Sequence, residues 1–180
     1  MSQITENDIR AALATDAEKA FRMLIELYGR RLYWHIRRIV ITHDDADDAL
    51  QNTFLNAWKN IGLFRFESTL LTWLWSIATN EALNLARKRA RAESVSLDDV
   101  EGILAGSAEG SSWFDGDEAA VKLQNAIMKL PAKQRIVFNM KYFDDMTYED
   151  ISSVTGTSVG ALKASYHHAV KKIEQYLERN

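Results

Sequence analysis

The chain has 180 residues, 22 basic against 25 acidic side chains, a net charge of −3 and a 47% hydrophobic fraction. This composition suits one folded domain or two small ones and excludes a disordered chain, while the absence of cysteine excludes disulfides, thiolate catalysis and Cys-ligated metals. The longest apolar run, Leu70 to Ala78, is too short for a bilayer and the first residues lack a signal-peptide pattern, so a cytoplasmic protein is expected.

From Asp16, a good N-cap, the residues Ala17, Ala20, Phe21, Leu24, Ile25, Tyr28, Leu32, His35, Ile36 and Ile39 recur at three- and four-residue steps. They predict one long helix with a single buried stripe. After a break at Thr42-His43, a second helix is predicted with Ala46, Ala49, Leu50, Thr53, Phe54, Ala57 and Trp58 on one side. Asp44, Asp45, Asp47 and Asp48 load its first turn and suit the positive end of the helix dipole. Phe54 and Trp58 are expected in the core. A third helix from about Thr69 places Leu70, Leu74, Ile77, Ala78 and Leu85 inward and runs into Arg87, Lys88, Arg89 and Arg91. Trp73 is expected to pack in the same core.

Residues 93–118 then break the pattern: eight acids, no lysine or arginine, and four of the eight glycines. Like charge, serine and glycine together predict a tether. The expected organisation is a helical domain over 1–92, an acidic linker over 93–118 and a second domain over 119–180. Trp113 and Phe114 are conspicuous in the linker as large apolar groups among polar ones.

In the second domain, Val121, Leu123, Ile127 and Leu130 predict a short helix stopped by Pro131, and Ile136, Val137, Met140 and Phe143 predict another ending at Asp144-Asp145. Thr147 is an N-cap with Asp150 three residues on, Gly156 suits a left-handed C′ position, and Ser158 caps the next helix. Helix, glycine turn, helix is the spacing of a helix-turn-helix. Its second helix presents Lys163, Ser165, Tyr166 and His167, and continues through Lys171 and Lys172. The same residues also fit an ordinary helical hairpin with a solvated basic face. His167-His168 is not a metal pair, because neighbours on a helix diverge by about 100°. No Ser/His/Asp set, metal-ligand cluster or Gly-rich phosphate loop is visible, so no enzyme, metal or cofactor is expected.

Three stretches carry a resemblance: DADDALQNTFLNAWKNI from Asp45, FRFESTLLTWLWSIATNEALNLARKR from Phe64, and LPAKQRIVFNMKYFDDMTYEDISSVTGTSVGALK from Leu130. In order and spacing they resemble the extracytoplasmic-function sigma factors, minimal two-domain sigma subunits of bacterial RNA polymerase. The resemblance implies an all-α protein of two small helical domains joined by a flexible acidic linker, the C-terminal one a helix-turn-helix. It implies that the helix from Asp44 to Lys59 docks on core RNA polymerase, with Asp48, Gln51, Asn52 and Asn56 as candidate contacts. It further implies that Phe64, Arg65, Phe66, Glu67, Ser68, Asn80, Asn84, Arg87 and Lys88 read and melt the −10 promoter element. Ser158, Lys163, Ser165, Tyr166 and His167 would read the −35 element in the major groove. Two departures stand out. Phe66 replaces a small residue frequent in the pattern, and two usual arginines become Ser165 and His168, which removes the common bidentate reader of guanine. The family is usually held inactive by an anti-sigma factor, and its linker threads near the polymerase RNA path. The alternative, a stand-alone helix-turn-helix regulator, leaves the N-terminal resemblance unexplained.

Overall fold

The computed structural model describes residues 4–40, 42–92 and 118–179. Nearly all of the expected acidic linker, Trp113 and Phe114 included, lies outside the described residues. Within them the chain is all-helical: α1 (Glu6–Leu13), α2 (Ala17–Arg37), α3 (His43–Asn60), a 3₁₀ turn (Ile61–Leu63), α4 (Leu70–Ala92), α5 (Glu118–Met128), α6 (Ala132–Tyr142), α7 (Tyr148–Thr155) and α8 (Val159–Arg179).

The helix starts follow local chemistry. The Asp16 carboxylate accepts from the Lys19 N–H at 2.9 Å, and the Thr42 hydroxyl accepts from the Asp45 N–H at 3.1 Å. Thr147 does the same for Asp150 at 3.0 Å, and its hydroxyl donates to the Asp150 carboxylate at 2.6 Å. Each cap satisfies a donor that the helix itself leaves unpaired. Thr147→Ala should therefore remove about 1 kcal/mol and lower the melting temperature by about 2–4 °C in calorimetry. Gly156 ends α7 in the left-handed conformation at φ +69°, as expected for a C′ glycine. Pro131 acts differently from the expectation. α5 already ends at Met128, and Pro131 stands at the N-cap of α6, where its missing N–H costs nothing.

α1 was not foreseen. Thr5 opens it with a full capping box: its hydroxyl takes the Asp8 N–H, and the Asp8 carboxylate takes the Thr5 N–H at 2.9 Å. Ile9, fully buried, joins α1 to the core of α2.

α4 is the central element. One side, Leu70, Leu74, Ala78 and Ala82, is completely buried with α2 residues Leu24, Leu32 and Ile36 and the small α3 residues Ala46, Ala49 and Ala57. Alanine along α3 lets the two backbones approach closely. The neighbouring side, Thr72, Trp75 and Thr79, is also buried and faces the C-terminal helices, with α7 packed against α4. The apolar core runs without a break from the N-terminal helices into Val137, Met140, Met146, Ile151 and Leu162. A second cluster, Ala126, Ile127, Leu130, Phe138, Ala169 and Ile173, holds α5, α6 and α8 together.

A polar network crosses the junction. His35, expected on the buried stripe of α2, has Nδ1 2.6 Å from the Asp144 carboxylate and Nε2 2.8 Å from the Thr79 hydroxyl. Arg38 donates to the second Asp144 oxygen at 2.8 Å and lies 4.5 Å above the Phe143 ring. Burial pushes the Arg38 pKa down and the Asp144 charge opposes that shift. Nearby, the Thr72 hydroxyl donates to Asp150 at 3.0 Å. His35 and Asp144 are both almost completely enclosed, so the network satisfies groups that would otherwise be buried at a loss.

One tryptophan expectation changes. Trp73 packs against the core as expected, though only partly covered, and Trp75 is more deeply buried, at 4% exposure. Trp58 is 42% exposed instead of internal, although its ring still meets Phe21 at 5.0 Å.

Candidate nucleic-acid and polymerase interfaces

The 3₁₀ turn and the following loop form a cleft of about 480 Å³ against α3 and α4. Phe64 and Trp73 make its aromatic wall, their ring centroids 5.0 Å apart and tilted by 32°. Asn56, Asn60, Arg65, Glu67 and Ser68 supply the polar lining. Asn56 is fixed from two sides: it donates to Glu81 at 3.2 Å, and its carboxamide oxygen accepts from Asn60 at 2.8 Å. A flat apolar wall opposite amide, guanidinium and carboxylate groups suits an unstacked nucleobase, which offers a π face and a hydrogen-bonding edge.

Phe66, within the loop, does not line the cleft. It takes a left-handed conformation at φ +57°, which costs a bulky residue about 1–2 kcal/mol unless its surroundings hold it there. Beyond the cleft, Trp73, Asn80, Asn84 and Arg87 follow one another on one face of α4 at seven-, four- and three-residue steps. Asn80, Asn84, Arg87 and Lys88 are exposed, and Arg87 donates to Asn84 at 3.3 Å. The cleft thus opens onto a polar, then basic, track.

The acidic first turn of α3 divides in two. Asp45 is buried against Arg89 of α4 at 2.8 Å, and so ties the two helices. Asp44, Asp48, Gln51 and Asn52 are exposed. Leu55, at 58% exposure, and Trp58 continue that face by four- and three-residue steps from Gln51. Sequence reasoning missed Leu55, although the step was readable. Exposed apolar groups within a polar rim are typical of a protein-docking surface. Asn56, expected on this face, is turned instead toward the cleft.

In the helix-turn-helix, the Ser158 hydroxyl accepts from the Ala161 N–H at 3.4 Å, a long cap. Lys163 and His167 are exposed, and Ser165 is half-covered. Tyr166 is a packing residue: its ring stacks on Phe138 at 5.7 Å and meets Tyr148 edge-on at 6.4 Å. Burial, then the neighbouring phenols, pushes its pKa up. The outward face of α8 is Gly160, Ala164, His167 and Lys171, with Lys163 on its flank. Small residues at the start of such a face allow close approach to a groove, and the lysines suit phosphates. Among the described residues, no three His, Asp or Glu side chains gather into a metal-sized site.

Residues 24–92 match the family model of sigma-70 region 2, and residues 120–173 match that of sigma-70 region 4. The chain belongs to the sigma-70 family. Among its sigma-factor relatives, the RNA polymerase sigma-H factor of Pseudomonas aeruginosa is 28% identical, over 89% of this chain and 88% of the relative. The ECF RNA polymerase sigma factor SigW of Bacillus subtilis is 27% identical over 89% of this chain and 90% of its own length. The structure is similar to the sigma factor RpoE of Bartonella quintana, solved with the anti-sigma factor NepR, at a TM-score of 0.73 and 25% identity. That similarity covers 89% of this chain and 98% of the solved one. It also shares its fold with CnrH, solved with the cytosolic domain of CnrY, at a TM-score of 0.71 and 22% identity over 97% of this chain and 98% of the other. In this sigma-70 chain, the cleft and basic track lie within the region 2 match, and the helix-turn-helix within region 4.

Proposed function

We infer that the chain is an extracytoplasmic-function sigma factor, which binds core RNA polymerase and directs promoter-specific initiation. The observation that carries this reading is the ordered match to regions 2 and 4 along one chain of near-equal length to its ECF relatives. The cleft with its basic track supports engagement of an unstacked −10 strand. Lys163, His167 and Lys171 support duplex binding at the −35 element. The α3 face from Asp48 to Trp58 supports docking on polymerase. Domains over 1–92 and 119–180, a linker near the polymerase RNA path, and action in the cytoplasm by binding, without catalysis, belong to the same reading. So does an anti-sigma partner, supported by the similarity to RpoE, which was solved with the anti-sigma factor NepR. A stand-alone helix-turn-helix regulator would leave the cleft and the α3 face without a role.

In vitro transcription on fragmented host DNA, with core polymerase alone and with the protein added, tests the reading. Transcripts with defined starts should appear only with the protein. No new transcripts, together with no complex with core polymerase, would refute it. Once the −35 element is known, Lys163→Ala should weaken holoenzyme binding to all duplex sequences alike and reduce the log–log salt slope by about 1. A change confined to one base position would instead make Lys163 a base reader.

A further inference from the structure

The region 2 match begins at residue 24, beyond α1. Yet α1 touches the cleft loop at two points. The Glu6 carboxylate accepts the Leu70 N–H, the first of α4, at 3.1 Å, and the Tyr28 hydroxyl at 3.2 Å. Leu70 is where the loop ends, and an anion there satisfies an orphan helix donor and the dipole together. Burial, then the Glu6 charge, pushes the Tyr28 pKa up to about 12, so the phenol keeps the proton it donates to Glu6. One turn further along α1, the Arg10 guanidinium lies 4.1 Å from the centroid of the Phe66 ring. Phe66 in turn packs against Phe64 at 4.8 Å, and Phe64 is the cleft wall beside Trp73.

The contacts form a continuous series: Arg10, Phe66, Phe64, Trp73. Arg65, Glu67, Ser68 and Thr69 are exposed and offer the loop little burial of its own. A bulky residue persists in a left-handed conformation only where its neighbours over-determine it, and Arg10 is the neighbour that α1 places over the ring.

We propose that α1, through Glu6 and Arg10, is a positioning element for the −10 cleft and sets which base the cleft prefers. Phe66 holds the left-handed point of the loop, and Arg10 is the residue over its ring. The inference rests on the reading of the cleft as a base site, and the experiment separates the two.

Holoenzyme reconstituted from core polymerase and full-length variants would be titrated with fluorescent single strands carrying the −10 sequence and each single-base change. Arg10→Ala should reduce discrimination at one position by about two- to fivefold, the range of an exposed cation–π contact, with core affinity unchanged. Glu6→Ala should act at the same position. Arg10→Lys, which keeps a cation over the ring, should retain most of the discrimination. Equal weakening of every strand by Arg10→Ala, or no change, would overturn the proposal if Trp73→Ala still lowers affinity for the −10 strand. If Trp73→Ala leaves strand affinity intact, the cleft is not the base site and the proposal falls with that reading.

Discussion

Asp144→Ala is expected to separate the two halves of the free protein. The substitution leaves His35 facing Thr79 alone and Arg38 without its carboxylate, both within a nearly closed junction. Removing one member of a buried ion pair typically costs about 3–5 kcal/mol, because the remaining charge stays desolvated. That exceeds the loss expected for the neighbouring Asp145, which is exposed and forms no comparable contact. The absence of cysteine makes the measurement direct. Ser153→Cys on α7 and Lys59→Cys on α3 can carry a dye pair, and energy transfer reports the separation of the halves. Asp144→Ala should lengthen that distance and lower the melting temperature, while Asp145→Asn, which suits the left-handed φ of +54° at that position, changes neither by much. An unchanged distance and melting temperature in Asp144→Ala would show that the network contributes nothing to closure.

Trp73→Ala is expected to cost holoenzyme about 1–3 kcal/mol in binding the −10 single strand, a loss of roughly fivefold to 150-fold. The indole is half of the aromatic wall, and its loss also leaves Phe64 with Phe66 as its remaining ring neighbour. Trp73→Phe keeps a π face and should lose much less. Permanganate footprinting of the melted region gives an independent reading, since Trp73→Ala should lower the open fraction without altering binding to core polymerase. Equal strand affinity in wild type and Trp73→Ala would remove the aromatic wall from the binding site.

The long helices were legible because α2, α3 and α4 each sustain an apolar stripe over four or more turns. α1 escaped because its eight residues bury only Ile9, although the Thr5–Asp8 capping box was open to reading. The tryptophans show a different limit. Trp73 and Trp75 are two residues apart and so about 200° apart around the helix. Periodicity distinguishes two faces, but it does not say that α4 buries a second face, against the C-terminal helices. His35 and Asp144 are separated by 109 positions, and no local pattern pairs them. Spacing placed Tyr166 among the outward or half-outward positions, and it is half-covered; the ring stack on Phe138 that covers it comes from another helix. The loop from Phe64 to Thr69 stood out in the sequence as one stretch, but which of its residues line the cleft depends on one left-handed residue, Phe66.

The unbroken core between the N-terminal and C-terminal helices has a thermodynamic consequence for promoter binding. Elements at −10 and −35 lie about 25 base pairs apart, or ~85 Å at about 3.4 Å per pair. Packed domains of this size have a radius of gyration of only about 16 Å, so a molecule engaging both elements cannot keep the His35–Asp144 junction. Promoter and closed junction therefore compete for the same population of protein. The apparent affinity equals the intrinsic one multiplied by the open fraction, and each 1.4 kcal/mol of closure lowers it tenfold. Any partner that prefers the open form recovers that factor, and any partner that prefers the closed form deepens it.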